Sequence, residues 1–175
     1  MATIALMTPE NATGSVAEIY RQVEQKWGGI PMPLQLWGVS PFLLEGQMRT
    51  IGYLMQHPQL DVSMLNLLRY LVARGEECHF CIDFNQARLL DSGWTLEQIQ
   101  GAQADLSITP LAEKQKVMLG LILKAVLHRK PLSAEDVAMA KGHGFSEQDL
   151  LEGVFAGILA QGVDRLIDSF SADAG

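Results

Sequence analysis

The sequence predicts an all-α fold, and three observations predict it. Apolar residues recur at spacings of three and four through nearly every long segment, the period of a helix with one buried face. Many of these segments open on a hydroxyl or acidic residue with an acid or amide three positions later, the pattern that caps a helix N-terminus. No stretch alternates with period two for long enough to make a strand. The expected organisation is a single all-helical domain over residues 1–175, with N-terminal helices in 1–60, a central unit in 61–105 and C-terminal helices in 106–175.

Residues 15–27 form the first expected helix, with Val16, Ile19, Tyr20, Val23 and Trp27 on one face and Gly28 and Gly29 stopping it. Pro31 and Pro33 then open a short segment, LQLWGVS. Ser40 before Pro41 is a cap followed by a first-turn proline, so a helix runs from Pro41 to about Gln56. Another begins near Asp61 and shows Met64, Leu65, Leu67, Leu68, Leu71 and Val72, with Asn66, Arg69, Tyr70 and Arg74 on its other side. Gly75, Glu76 and Glu77 read as the opening of the next helix, which ends at Gly93. Thr95 with Gln98 makes a capping box for a short helix, Thr109-Pro110 starts a longer one reaching about His128, and Ser133 with Asp136 starts another. Ser146 with Asp149 opens the last, apolar nearly all round as far as Phe170. SGWTLEQI echoes HGFSEQDL, either as a duplicated helical unit or as two caps of one kind.

Residues 75–90, GEECHFCIDFNQARLL, hold the only two cysteines, Cys78 and Cys81. Side chains at i and i+3 on a helix are neighbours, about 5–6 Å apart at Cβ. A disulfide wants about 3.5–4.5 Å, so the looser backbone of a first turn suffices to close one. The free N–H groups and positive pole of that turn also favour a thiolate. Asn85 lies four residues beyond Cys81 on the same stripe, its amide within reach of Cys81, and Arg88 continues the stripe. The spacing describes a dithiol that closes and reopens, near the N-terminus of one helix and partly accessible from a pocket lined by Phe80, Phe84 and Trp94. A structural or inert thiol pair is the competing reading. Structural zinc needs four ligands and no second pair exists, while His57, His79, His128 and His143 are scattered and read as surface or satisfied histidines. No metal or cofactor is expected.

Charged residues make up 19% of the chain, against about 25% in a typical soluble protein. Part of the surface is therefore expected to be covered by copies of the same chain. A net charge of -7 and a pI near 5.0 argue against nucleic acid or an anionic membrane as partner. The apolar runs fall short of the ~20 residues of a membrane span, and the first seven residues lack the basic start of a signal peptide. A soluble, cytoplasmic protein is expected, and a reducing cytosol weighs against a permanent structural disulfide.

From GGIPMP and SPFLLEG through ARGEECHFCIDFNQARLLDSGWTLEQI to GFSEQDLLEG and DRLIDSF, the chain resembles the carboxymuconolactone decarboxylase superfamily, in particular its alkylhydroperoxidase D-like branch. That resemblance implies an all-α helical domain, a homo-oligomer of the trimer or hexamer kind, a hydroperoxide substrate and a thiol or dithiol electron donor. It also implies site residues: Cys81 as the attacking thiol, Cys78 as the resolving one. The branch places a glutamate twelve residues before the first cysteine and a histidine four after the second. Here those positions are Asn66 and Asn85, and a carboxamide does not titrate in this range. His79 stands between the cysteines, one position before the branch's intervening histidine, which aligns with Phe80. Helix electrostatics alone favours Cys78 as the more acidic thiol. Two other functions stay open: an oligomeric binding or redox-sensing protein with a degenerate site, and a carboxymuconolactone decarboxylase-like enzyme, for which nothing in the sequence supplies a lactone acid site.

Overall fold

A computed structural model describes residues 3–170, and its order of elements is all-α. The described residues contain no strand and nine helices: α1 (Gly14–Trp27), α2 (Met32–Trp37), α3 (Pro41–Leu54), α4 (Val62–Glu76), α5 (His79–Asp91), α6 (Leu96–Gly101), α7 (Glu113–Val126), α8 (Ala134–Gly142) and α9 (Glu147–Ser169). They fall into two compact units, one comprising residues 3–56 together with 166–170, the other residues 57–165.

In the first unit α1 and α2 both pack on α3. Ser40 caps α3 by accepting the Leu43 N–H, as its place before Pro41 predicts. LQLWGVS contributes most of α2, a helix the sequence did not announce, because Pro31 stands at its cap and Pro33 in its first turn. Tyr20 of α1 donates its hydroxyl toward the carbonyls of Met7, at 2.9 Å, and Leu34, at 3.0 Å. Burial pushes that phenol up to about 12. A Cβ at Gly38 would collide with the Tyr20 hydroxyl, so the glycine makes room for the bond.

In the second unit α4 is the centre, packed on α5 and α7. Asp61 caps it, accepting the N–H groups of Ser63, at 2.8 Å, and Met64, at 3.3 Å. The expected polar side of α4 is corrected: Asn66 and Tyr70 are buried along with the leucines, because neighbours cover this helix on several faces. Gly75 and Glu76 are also reassigned, since they finish α4 instead of opening α5. Glu77 takes a left-handed conformation, φ 60°, and the Cys78 N–H closes the corner on the Ala73 carbonyl at 3.1 Å. Helix α7 starts at Glu113, later than Thr109 suggested, because the Thr109 hydroxyl donates back to the Leu106 carbonyl and finishes a 3-10 turn over Leu106–Ile108. The capping boxes of Thr95 with Gln98 and Ser133 with Asp136 are both formed.

The sequence echo is a shared corner. Gly93 and Gly144 have φ of 88° and 86°, a buried aromatic follows each, and the N–H of Trp94 or Phe145 returns to a carbonyl five residues back. The likeness ends there, because α6 has six residues and α9 twenty-three. After Asp149 and Leu150 near its start, the buried face of α9 in this unit is made of small residues, Gly153, Ala156, Gly157 and Ala160, followed by Asp164. A Cβ at Gly157 would lie 2.8 Å from Val126 Cγ2, so α9 approaches α7 on bare backbone.

Candidate functional site

The corner between α4 and α5 positions the two cysteines. Cys78 is the N-cap of α5 and its carbonyl accepts the Ile82 N–H at 2.9 Å, while Cys81 sits in the first turn. Their Cα atoms are 5.3 Å apart and the two sulfurs are joined as a disulfide. This is the closed state that the i, i+3 spacing allows. The expectation of partial accessibility is corrected: Cys78 is 1% exposed and Cys81 4%. Asp164 of α9 reaches this corner.

Asn66 and Asn85, the two relay positions, are both buried. The Asn85 Nδ2 donates to the Cys81 main-chain carbonyl at 2.7 Å, a bond along α5 to the backbone instead of to the sulfur. His79 is exposed at the first helical position. Phe80 and Phe84 stack on each other with ring centres 6.0 Å apart, and the Arg88 guanidinium lies 5.8 Å over the Phe84 ring. Arg69, one turn along α4 from Asn66, is pushed down to about 10, first by burial and then by the like charge of Arg88, and remains a cation at neutral pH.

The side chain that sequence reasoning missed is Asp164. It is 4% exposed, and one of its carboxylate oxygens lies within 4.8 Å of both sulfurs. Glu76, the last residue of α4, fixes α9 there by gripping it on both sides of this aspartate. It accepts Gln161 Nε2 at 2.6 Å and Arg165 Nε at 2.8 Å. The bond from Arg165, backed by that from Gln161 and by the charges of Arg165 and Arg129, holds the Glu76 carboxyl below its ordinary value of 4.5. Reduced, the Cys78, Cys81 and Asp164 set would offer three ligands, one short of the four a structural zinc takes.

The expected pocket divides. Trp94 lines a cavity of about 650 Å³ with His57, Asp61, Ser63 and Gln115, and neither phenylalanine nor either cysteine belongs to that lining. His57 is a satisfied histidine, as expected. Its Nδ1 accepts the N–H groups of Gln59, at 3.1 Å, and Leu60, at 2.9 Å, and its Nε2 meets Glu152 at 2.7 Å.

No protein-family model matches the chain, and no curated protein does. Solved structures do. A peroxidase-related protein from Silicibacter sp. TM1040 superposes with a TM-score of 0.81 at 16% identity, over 97% of this chain and 89% of that one. A structure from Ralstonia eutropha JMP134, described as an alkylhydroperoxidase AhpD core and a peroxidase-related protein, gives 0.81 at 13% identity, over 97% and 90%. A variant of the debrominase Bmp8, in complex with 2,3,4-tribromopyrrole, gives 0.73 at 13% identity, over 99% and 95%. At these identities the likeness carries the fold: the chain has the all-α architecture of the alkylhydroperoxidase D core.

Proposed function

We propose that this chain, an alkylhydroperoxidase D-like domain by fold, is a thiol-dependent peroxidase in which Cys78 and Cys81 cycle between dithiol and disulfide. The observation that carries the reading is the closed pair at the N-terminus of α5, on a fold shared with peroxidase-related proteins. The Cys81 thiolate attacks the terminal oxygen of an organic hydroperoxide, the O–O bond breaks, and the sulfur becomes a sulfenic acid while an alcohol leaves. Cys78 then displaces water from that sulfur and the disulfide forms. An external dithiol returns both sulfurs to thiols, attacking Cys81 and expelling Cys78 as a thiolate that the helix N-terminus stabilises. In this reading Asn66 and Asn85 are buried polar supports of the site, and exposed His79 faces the donor. The working form is a homo-oligomer.

The test is rapid mixing of reduced protein with cumene hydroperoxide, followed by thiol counting. Loss of two thiols per chain, far faster than free cysteine loses them, is the expected result; loss at the rate of free cysteine overturns the enzyme. A second reading, a redox sensor, is favoured by the burial of the disulfide, and it predicts one rapid oxidation without sustained turnover when a dithiol is supplied. The likeness to a debrominase adds a brominated aromatic as a second oxidant to try. With that oxidant this chain would release bromide, place hydrogen on the ring and again close its two thiols as a disulfide.

A further inference from the structure

We infer that Asp164 is the proton carrier of the Cys78–Cys81 couple, doing from α9 what neither amide at Asn66 and Asn85 can do. Three observations support it. Its carboxylate oxygen and both sulfurs lie within 4.8 Å of one another, so a single group serves either cysteine. It is buried, where a carboxylate and a thiolate side by side cannot both be charged without cost and therefore share one proton. It is also held in place: Glu76 grips Gln161 and Arg165, so the helix turn carrying Asp164 is pinned to the end of α4. The charged and titratable groups around this corner are Glu76 and Arg165, paired with each other, Arg129 near Glu76, and exposed Glu77 and His79.

This inference deepens the peroxidase reading and rests on it for the oxidising half-reaction. The Cys81 proton passes to Asp164, the thiolate sulfur bonds to the terminal peroxide oxygen as the O–O bond breaks, and the alkoxide takes the proton from Asp164 and leaves as alcohol. The Cys78 proton then passes to the same carboxylate, the Cys78 sulfur bonds to Cys81 as the S–O bond breaks, and hydroxide leaves with that proton as water. Two thiols have lost two electrons, the hydroperoxide has gained them, and Asp164 is a carboxylate again. In the reducing half-reaction one thiolate of a dithiol donor attacks Cys81 and the S–S bond breaks. Asp164 passes the proton of the donor's second thiol to the departing Cys78 thiolate, and that second sulfur closes the donor's own disulfide, releasing Cys81 as a thiolate.

The experiment compares wild type, Asp164→Asn and Asp164→Glu in two reactions across the pH range where thiols and carboxylates titrate. Reduced protein is oxidised by cumene hydroperoxide, and disulfide protein is reduced by dithiothreitol, with rates expressed per donor thiolate. Asp164→Asn is expected to slow both by about 10²–10⁴-fold, the usual contribution of a positioned acid or base. It should also move the pH midpoint of thiol alkylation downward, because a negative charge beside the sulfurs is gone. Asp164→Glu restores most of the rate. If wild type ignores the hydroperoxide while dithiothreitol exchange still depends on Asp164, the peroxidase reading fails and the proton carrier stands. If wild type is oxidised rapidly and Asp164→Asn matches it in rate and pH profile, the proton carrier fails and the peroxidase stands. Should Asp164→Asn not fold, the wild-type exchange profile decides: a second ionisation beside that of the thiol supports the carrier, and a single thiol ionisation overturns it.

Discussion

Glu76 decides where α9 meets the disulfide, and its protonation state sets how firmly. Its carboxyl is held below 4.5 in the folded protein, first by the hydrogen bond from Arg165. A group with a depressed folded pKa adds stability that is present above its unfolded value and is lost as pH falls through the folded one. Glu76→Gln should therefore lower the melting temperature at neutral pH, and the difference from wild type should close as pH drops below about 4.5. Arg165 is largely exposed, so added salt should shrink the neutral-pH difference as well. Asn85 gives the contrasting case. Its amide serves the Cys81 carbonyl, so Asn85→Ala should cost about 0.5–1.5 kcal/mol in urea unfolding. The pH dependence of Cys81 alkylation should stay where it was, whereas a shift would return Asn85 to a role at the sulfur. The cysteine pair was legible because its chemistry is local, written in three residues of spacing. Asp164 was not, because nothing near it in sequence marks a partner on α5. One signal was available: Gly153, Ala156, Ala160 and Asp164 recur at helical spacing, which places an acid in register with the small residues of the buried face.

At the scale of elements, the caps were read correctly where a side chain satisfies its own helix, as Ser40, Asp61, Thr95 and Ser133 do. They were misread where the side chain turns elsewhere, as Thr109 does toward Leu106. The boundary between α4 and α5 was misplaced for a related reason. Glu77 takes the left-handed turn that glycine usually marks, so the neighbouring Gly75 drew the boundary too early. Helix α9 was expected to be apolar nearly all round, yet packing chose its small face, because only glycine and alanine let it approach α7 closely. Two substitutions separate propensity from packing. Gly157→Ala gains up to about 1 kcal/mol of helix propensity but forces a Cβ to 2.8 Å from Val126 Cγ2, a stiff and buried neighbour. Overpacking typically costs about 1–3 kcal/mol, so net destabilisation is expected. Gly120→Ala in α7 meets nothing within 4 Å and should stabilise by roughly 0.5–1 kcal/mol. Urea unfolding of both variants checks the pair, and equal shifts in the same direction would mean that α9 is not closely seated.

For the whole molecule, the face that α9 does not bury carries three exposed large apolar residues. Leu151, Phe155 and Ile158, at 69%, 49% and 54% exposure, form a stripe at spacings of four and three. A stripe of this width on a chain with only 19% charged residues fits a second copy of the same chain better than open solvent. A homo-oligomer is therefore expected through α9, with about 1,200–2,000 Å² or more buried per interface. Wild type should sediment well above the 19.2 kDa of one chain, and Phe155→Asp should return it to that mass, because a carboxylate placed in an apolar contact has no partner there. Sedimentation of wild type at 19.2 kDa would end the idea. The same variant also asks whether the site needs a neighbour. Cys78, Cys81 and Asp164 all come from one chain, and none lies on the exposed stripe. A Phe155→Asp monomer should then keep the wild-type rate of thiol oxidation by hydroperoxide. If that rate falls with the oligomer while the monomer stays folded, a group from the adjoining copy completes the site.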